Sequence, residues 1–219
     1  MILHHLQNSR SQRIVWLFEE LNLEYEIKFY TLESAKDSGM KFPTVDIIEA
    51  QQSLTETSAI IEMICDGQEK LKVGHGDQSF WTFCFYKNFS EASLMPNIAL
   101  KQIFQQIKIQ TPFPFRPITF AIQKAFNHGY LNPELNKQLE QIDQHLGKYS
   151  WIAGDVFTYA DILIWFPLEA AQYAVPNFIR HEHIIRYLDR IKERSAYKSA
   201  LSRGQWSSEL FNQYWKVTL

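Results

Sequence analysis

The feature that most constrains this chain is a change of hydrophobic rhythm near residue 66. Before it, Ile2–Leu6 reads as a short buried strand. Ile14, Leu17, Phe18 and Leu21 then recur at helical spacing, as one face of a helix does. Leu23, Tyr25, Ile27 and Phe29 alternate with Glu24, Glu26 and Lys28, the period of a half-buried strand. Strand, helix and strand within about thirty residues form a βαβ unit and predict a parallel pair. Thr31 to Met40 is polar, contains Gly39 and reads as a loop. Pro43 to Ile48 predicts another strand and Ser53 to Thr55 a short one; Ile60, Ile61 and Ile64 mark a second helix. Asp66-Gly67 stops that helix, because glycine is a natural C-terminal breaker. Past this point strand signals vanish. Leu135, Leu139, Ile142 and Leu146 form one helical stripe, and Ile184, Leu188 and Ile191 another. Three prolines within Thr111–Pro117 mark a bent connection. The expected fold is an α/β domain over residues 1–70, a linker near 67–78, and an all-helical domain over 79–219.

Composition narrows the class. Apolar residues make up 46% and charged residues 21% of 219, which excludes disordered and low-complexity chains. With 8 Gly and 8 Pro, long helices run with few breakers. A formal charge of −2 argues against a nucleic-acid partner, since such binders carry basic domains. Two cysteines, Cys65 and Cys84, provide no disulfide framework, so a reduced, cytoplasmic setting is expected. The N-terminus lacks the pattern of a signal peptide. The run Ile162–Phe166 is too short to span a bilayer, so no membrane partner is expected. His4-His5 and His181-Glu182-His183 read as surface or helix-start residues, and no metal site is expected. Thr158-Tyr159-Ala160-Asp161 places a hydroxyl at a helix N-cap and a carboxylate three residues on, a capping box flanked by Phe157 and Ile162. Asp161 is therefore structural and not a catalytic acid.

Four segments together resemble the glutathione transferases. Ser9-Arg10-Ser11-Gln12-Arg13-Ile14, with the helix and strand that follow, resembles the family's opening unit. Lys41-Phe42-Pro43-Thr44-Val45 is similar to its cis-proline segment, and Leu54-Thr55-Glu56-Thr57-Ser58-Ala59 to its Glu-Ser/Thr motif. Gly154 to Asp161 is similar to the capping box of its helical domain, and Arg194-Ser195-Ala196-Tyr197 fits its tail. The order is right and spans nearly the whole chain. The resemblance, to serine-type members of theta-like or bacterial cytosolic kind, implies a thioredoxin-like domain followed by a helical one, in a homodimer. It implies conjugation of the glutathione thiolate to a small hydrophobic electrophile, with glutathione as co-substrate and no other cofactor.

The resemblance also assigns roles. The Ser9 hydroxyl would donate to the glutathione sulfur, with Ser11 the alternative two residues on. No cysteine or tyrosine lies between residues 7 and 13, which disfavours a cysteine-type mechanism. Lowering a thiol pKa by about 2 units takes about 2.7 kcal/mol. One hydrogen bond to a charged group supplies roughly 1.5–3 kcal/mol, and a helix N-terminus adds about 0.3–1 kcal/mol. As an isolated serine, Ser9 would read better as a helix cap; the surrounding motif favours the functional role. A cis Pro43 would expose the Phe42 backbone to the cysteinyl backbone of glutathione. Thr57 would hold the γ-glutamyl carboxylate, Glu56 would lie beside the γ-glutamyl amine, and Lys41 would meet the glycyl carboxylate. The family's helix between Tyr30 and Pro43 is expected to be shortened or lost. Phe83, Tyr86, Phe113, Phe115 and Trp206 are candidates for the electrophile pocket, with core packing the competing role of each. The alternative function is a non-catalytic protein of the same fold with a weakened glutathione site.

Overall fold

A computed structural model describes residues 1–216. Strands β1 (Ile2–Leu6), β2 (Glu26–Tyr30), β3 (Thr44–Ile47) and β4 (Gln52–Thr55) form one sheet in the order β2-β1-β3-β4. Strand β1 runs parallel to β2, Leu3 opposite Ile27, and antiparallel to β3, Leu3 opposite Val45. The β3–β4 hairpin sets Val45 opposite Leu54. A parallel pair needs a crossover, and helix α1 (Gln12–Leu21) supplies it. Its residues Ile14 to Phe18 are all buried. Asn22 ends it in the left-handed conformation, φ 51°, donating to the Glu19 and Phe18 carbonyls, as an αL cap does.

The segment read as a loop is instead a short helix, α2 (Leu32–Ser38). Thr31 and Ser34 exchange side-chain and backbone hydrogen bonds at its start, and Gly39 at φ 64° ends it. Helix α2 buries no residue, so it lacks the apolar stripe by which helices are recognised in sequence. The capping box, with Ser34 in place of Glu or Gln, was its one signal.

Helix α3 spans Thr57–Asp66. From Phe80 onward the described residues form helices and connections, plus one isolated bridge between Trp151 and Gly154. Helices α4 (Phe80–Phe89) and α5 (Met95–Gln110) join through a π turn at Ser90–Leu94. Helices α6 (Arg116–Phe126) and α7 (Asn132–Leu146) join the same way at Asn127–Leu131. Each π turn immediately precedes a proline at the second residue of the next helix, Pro96 or Pro133. A proline inside a helix has no N–H and its ring crowds the carbonyl four residues back. The wider π turn lets both long helices continue past it.

Helix α8 (Tyr159–Ala174) is the core axis, buried along most of its length. Its capping box is present: the Thr158 N–H donates to Asp161 Oδ2 at 2.8 Å. Asp161 Oδ1 accepts from the Ile152 N–H and the Tyr187 hydroxyl, each at 2.8 Å. Helices α9 (Glu182–Glu193), α10 (Ser195–Arg203) and α11 (Ser208–Trp215) complete the chain. Trp16 of α1 packs edge-on against Trp165 of α8 and Tyr197 of α10, centroids 5.7 and 5.1 Å apart. The sheet unit is thus clamped to the helical unit through α1.

Candidate active site

The loop after β1 is held open toward the helices by contacts with the far end of the chain. Asn8, at φ 53°, accepts from the Ser207 N–H at 2.7 Å. Gln7 donates to Gln205 at 2.7 Å. This places Ser9 on the wall of a cavity of about 770 Å³. The opposite walls come from Met95, Pro96 and Ala99 of α5, Phe166 of α8, and Tyr214 and Trp215 of α11. The π turn ahead of Pro96 adds Glu91 to the lining.

The two candidate serines occupy different places. Ser9 is half-buried and faces the cavity; Ser11 is fully buried behind it. Their hydroxyls are 2.9 Å apart, and Ser11 Oγ lies 2.8 Å from His5 Nδ1. His5 Nε2 is 3.0 Å from the Gly204 carbonyl, which can only accept. Burial pushes the His5 pKa down to about 4, against smaller raising effects from its Gly204 and Ser11 hydrogen bonds. The imidazole is therefore neutral at physiological pH, protonated on Nε2, with Nδ1 a bare acceptor. The single Ser11 hydroxyl hydrogen faces two acceptors, Nδ1 and the Leu6 carbonyl at 2.9 Å; given to either, it leaves the Ser11 oxygen to accept from Ser9. At rest, the Ser9 hydrogen thus points at Ser11, and a short rotation turns it toward the cavity. Ser9 Oγ also accepts from the Ser11 N–H at 3.2 Å. The reading of His4 and His5 as surface residues is corrected: both are buried, and His4 joins Tyr30 and Asp46, each at 2.9 Å.

The remaining predicted residues gather at the end of the sheet where β3 begins and β4 stops. The Phe42–Pro43 peptide is cis, and the Phe42 ring packs on Tyr30, centroids 4.8 Å apart. Lys41 and Glu56, both exposed, pair at 3.2 Å. Glu56 has φ 70°, a conformation uncommon for a residue with a side chain and one that clusters at functional sites. Thr57 is buried, and its hydroxyl accepts from Arg13 Nη2 at 3.3 Å. Arg13, itself fully buried, pairs with Glu91 and donates to the Leu163 carbonyl at 2.9 Å. Arg13 therefore ties the start of α3 to the carboxylate on the cavity wall. In the sequence Arg13 stood only within the opening motif, with no role of its own. A lone arginine amid the apolar residues of α1 was the available signal, because a buried guanidinium needs partners.

None of the five aromatic candidates lines this cavity. Phe83 and Tyr86 are buried in the core, Phe83 against Tyr159 and Tyr86 against His145. Phe113 and Phe115 sit on the α5–α6 connection, 87% and 60% exposed. Trp206 stacks among Trp165, Phe166 and Phe211, one layer behind the wall. The apolar lining comes instead from Met95, Pro96, Ala99 and α11. Among the described residues no group of three or more His, Cys, Asp or Glu is placed to hold a metal, and no helix is long and apolar enough to cross a membrane.

Comparison with known proteins bears on the family and the fold. Residues 122–195 match the family model described as "Glutathione S-transferase, C-terminal domain". Glutathione S-transferase 3 of Schizosaccharomyces pombe is 32% identical over 213 residues, covering 93% of this chain and 87% of that protein. Glutathione S-transferase 1 of Saccharomyces cerevisiae is 23% identical, with 92% and 94% covered. A crystal structure of a glutathione S-transferase from Actinobacillus pleuropneumoniae superposes with a TM-score of 0.77 at 26% identity, covering 97% of this chain and 98% of that one. A thioredoxin-like sheet unit followed by a helical unit, with relatedness over nearly the full length, establishes that this chain belongs to the glutathione S-transferase family.

Proposed function

We propose that the protein conjugates glutathione, through its thiolate, to a small hydrophobic electrophile. The observation that carries this reading is the position of Ser9: a hydroxyl on the wall of an otherwise largely apolar cavity, beside the start of α1. In this reading glutathione lies at the end of the sheet where β3 begins and β4 stops. Phe42 pairs with its cysteinyl backbone ahead of Pro43. Thr57 and the free N–H groups at the start of α3 receive the γ-glutamyl carboxylate. Glu56 lies beside the γ-glutamyl amine, and Lys41 turns from Glu56 to the glycyl carboxylate. That exposed pair is worth at most about 1 kcal/mol, so releasing it costs little. The electrophile occupies the space bounded by Met95, Pro96, Ala99 and α11.

The hydrogen-bond network revises the energetics. Donating to the sulfur, Ser9 gives up its bond to Ser11, worth about 0.5–1.5 kcal/mol. Of the roughly 1.5–3 kcal/mol from a charged hydrogen bond, about 1–1.5 kcal/mol remains, close to one pKa unit. The N-terminus of α1 adds a few tenths more. The test is turnover of an aryl halide with glutathione. The parent should conjugate it, and Ser9→Ala should lower the rate roughly tenfold. An inactive parent that still binds glutathione would favour the non-catalytic alternative. That alternative drew on a shortened or lost helix before Pro43, and a helix of 7 residues, α2, stands there.

Trp81 is 76% exposed and lies beside Phe85 and Phe89 on one face of α4. An exposed apolar face of this kind suits an interface, and a homodimer would cover it. Two free cysteines suit a reducing cytoplasm.

A further inference from the structure

Arg10 follows Ser9 on the wall of the large cavity. It is exposed, and among the described residues its guanidinium donates to no neighbour and pairs with no carboxylate. Every other arginine of the chain has a partner: a carboxylate for Arg13, Arg194 and Arg203, a carbonyl or a histidine for the rest.

Its position is also unfavourable on electrostatic grounds. Arg10 lies just ahead of α1, whose first turn holds no acidic residue, and a cation there meets the positive end of the helix dipole. Burial lowers the Arg13 pKa; Glu91 opposes that fall and the charge of Arg10 adds to it. The two guanidiniums are thus close enough to repel. Glu91 is the one carboxylate among the cavity's lining residues, and it is already paired with Arg13. Two guanidiniums therefore stand against one carboxylate, which leaves a positive charge over at the wall. Most of the surrounding surface is apolar, from Met95, Pro96, Phe166 and Trp215.

We propose that Arg10 selects the electrophile: the cavity takes hydrophobic electrophiles that carry one carboxylate, with that carboxylate on Arg10 and the reactive carbon at the sulfur beside Ser9. This rests on the conjugation reading above and specifies its substrate class. With an aryl halide, the thiol proton leaves to solvent and the thiolate sulfur bonds to the ring carbon. The carbon–halogen bond then breaks, and the halide departs with its electron pair. Arg10 makes and breaks no bond. It holds the ring in place, because a guanidinium meets a carboxylate through two parallel hydrogen bonds. Arg10 is exposed, so the preference is modest and weakens as salt rises.

The test compares 4-chloro-3-nitrobenzoate with its neutral amide, 4-chloro-3-nitrobenzamide, each kcat/KM divided by the uncatalysed rate with glutathione. At low salt the full-length parent should favour the acid by about threefold to tenfold. Arg10→Gln should bring that ratio close to one, Arg10→Lys should keep part of it, and the KM for glutathione should hold in both. Equal losses on acid and amide in Arg10→Gln would overturn the proposal, because Arg10 would then serve the sulfur or glutathione itself. A parent ratio near one, or a ratio that Arg10→Gln leaves intact, would overturn it too. A parent that converts neither halide contradicts the conjugation reading, and calorimetric binding then decides the selectivity. In that case 3-nitrobenzoate should still bind the parent more tightly than 3-nitrobenzamide, with the difference lost in Arg10→Gln; equal binding of the two would overturn the proposal.

Discussion

At the scale of single residues, the two serines after β1 separate chemistry from stability. Ser9 touches the cavity and Ser11 does not. Ser11→Ala takes the hydroxyl away from the buried His5 Nδ1, which should cost about 1–3 kcal/mol of stability. It also frees the Ser9 hydrogen, so the conjugation rate should stay within about threefold of the parent. Ser9→Ala should do the reverse, losing rate while its melting temperature moves little. Urea unfolding and turnover on both variants check the pair; a large rate loss in Ser11→Ala with intact stability would move the chemistry two residues along. The serine itself was legible in sequence because a motif surrounds it. His5 was not, because its role depends on Gly204, which folding brings to it from 199 residues away. Arg13 was half legible: a buried charge was visible, but its partners Glu91 and Thr57 lie far along the chain.

At the scale of elements, sequence patterns worked where one face is buried and failed where none is. Strand β1, buried through its middle, and the stripes of α7 and α9 follow the patterns that burial imposes. Helix α2, exposed along its length, has no such period. The π turns are visible only in hindsight, through Pro96 and Pro133. The start of α8 carries a prediction about pH. Burial raises the Asp161 pKa to about 6, against the lowering effect of the four hydrogen bonds it accepts. Folded Asp161 therefore holds its proton up to a higher pH than the unfolded chain does, and this adds stability as pH falls from about 6 toward 4. His5 opposes it. Its folded pKa of about 4 lies below the ordinary 6.5, so stability is lost as pH falls through that window. Burial lowers His145 and His181 too, with the same sign. Asp161→Asn removes the counterweight. Its urea midpoint should fall more steeply than the parent's between pH 6.5 and pH 4.5, windows set by these values. Parallel slopes would contradict this assignment.

At the scale of the whole molecule, the sequence divided the chain into a sheet unit and a helical unit, and the last strand ends at Thr55 with helices beyond. The destination of the aromatics was beyond its reach. Composition counts them, but whether a ring faces core, cavity or solvent depends on which helices meet. Phe83 went to the core, Phe113 to solvent and Trp215 to the cavity wall. The exposed face of α4 bears on assembly. If a second copy covers it, Trp81→Glu should raise the dimer dissociation constant by at least about tenfold. Sedimentation equilibrium reads this directly, and a parent that runs only as a 25.8 kDa species at micromolar concentration would contradict the dimer. The central claim is that Ser9 stabilises the glutathione thiolate inside the assembled cavity, and it is tested most directly by titrating the thiol of bound glutathione through its thiolate absorbance. The parent should hold that thiol about one unit below the free value of about 8.5. Ser9→Ala should return it close to the free value while glutathione stays bound. A bound thiol that titrates alike in the parent and in Ser9→Ala would contradict the account.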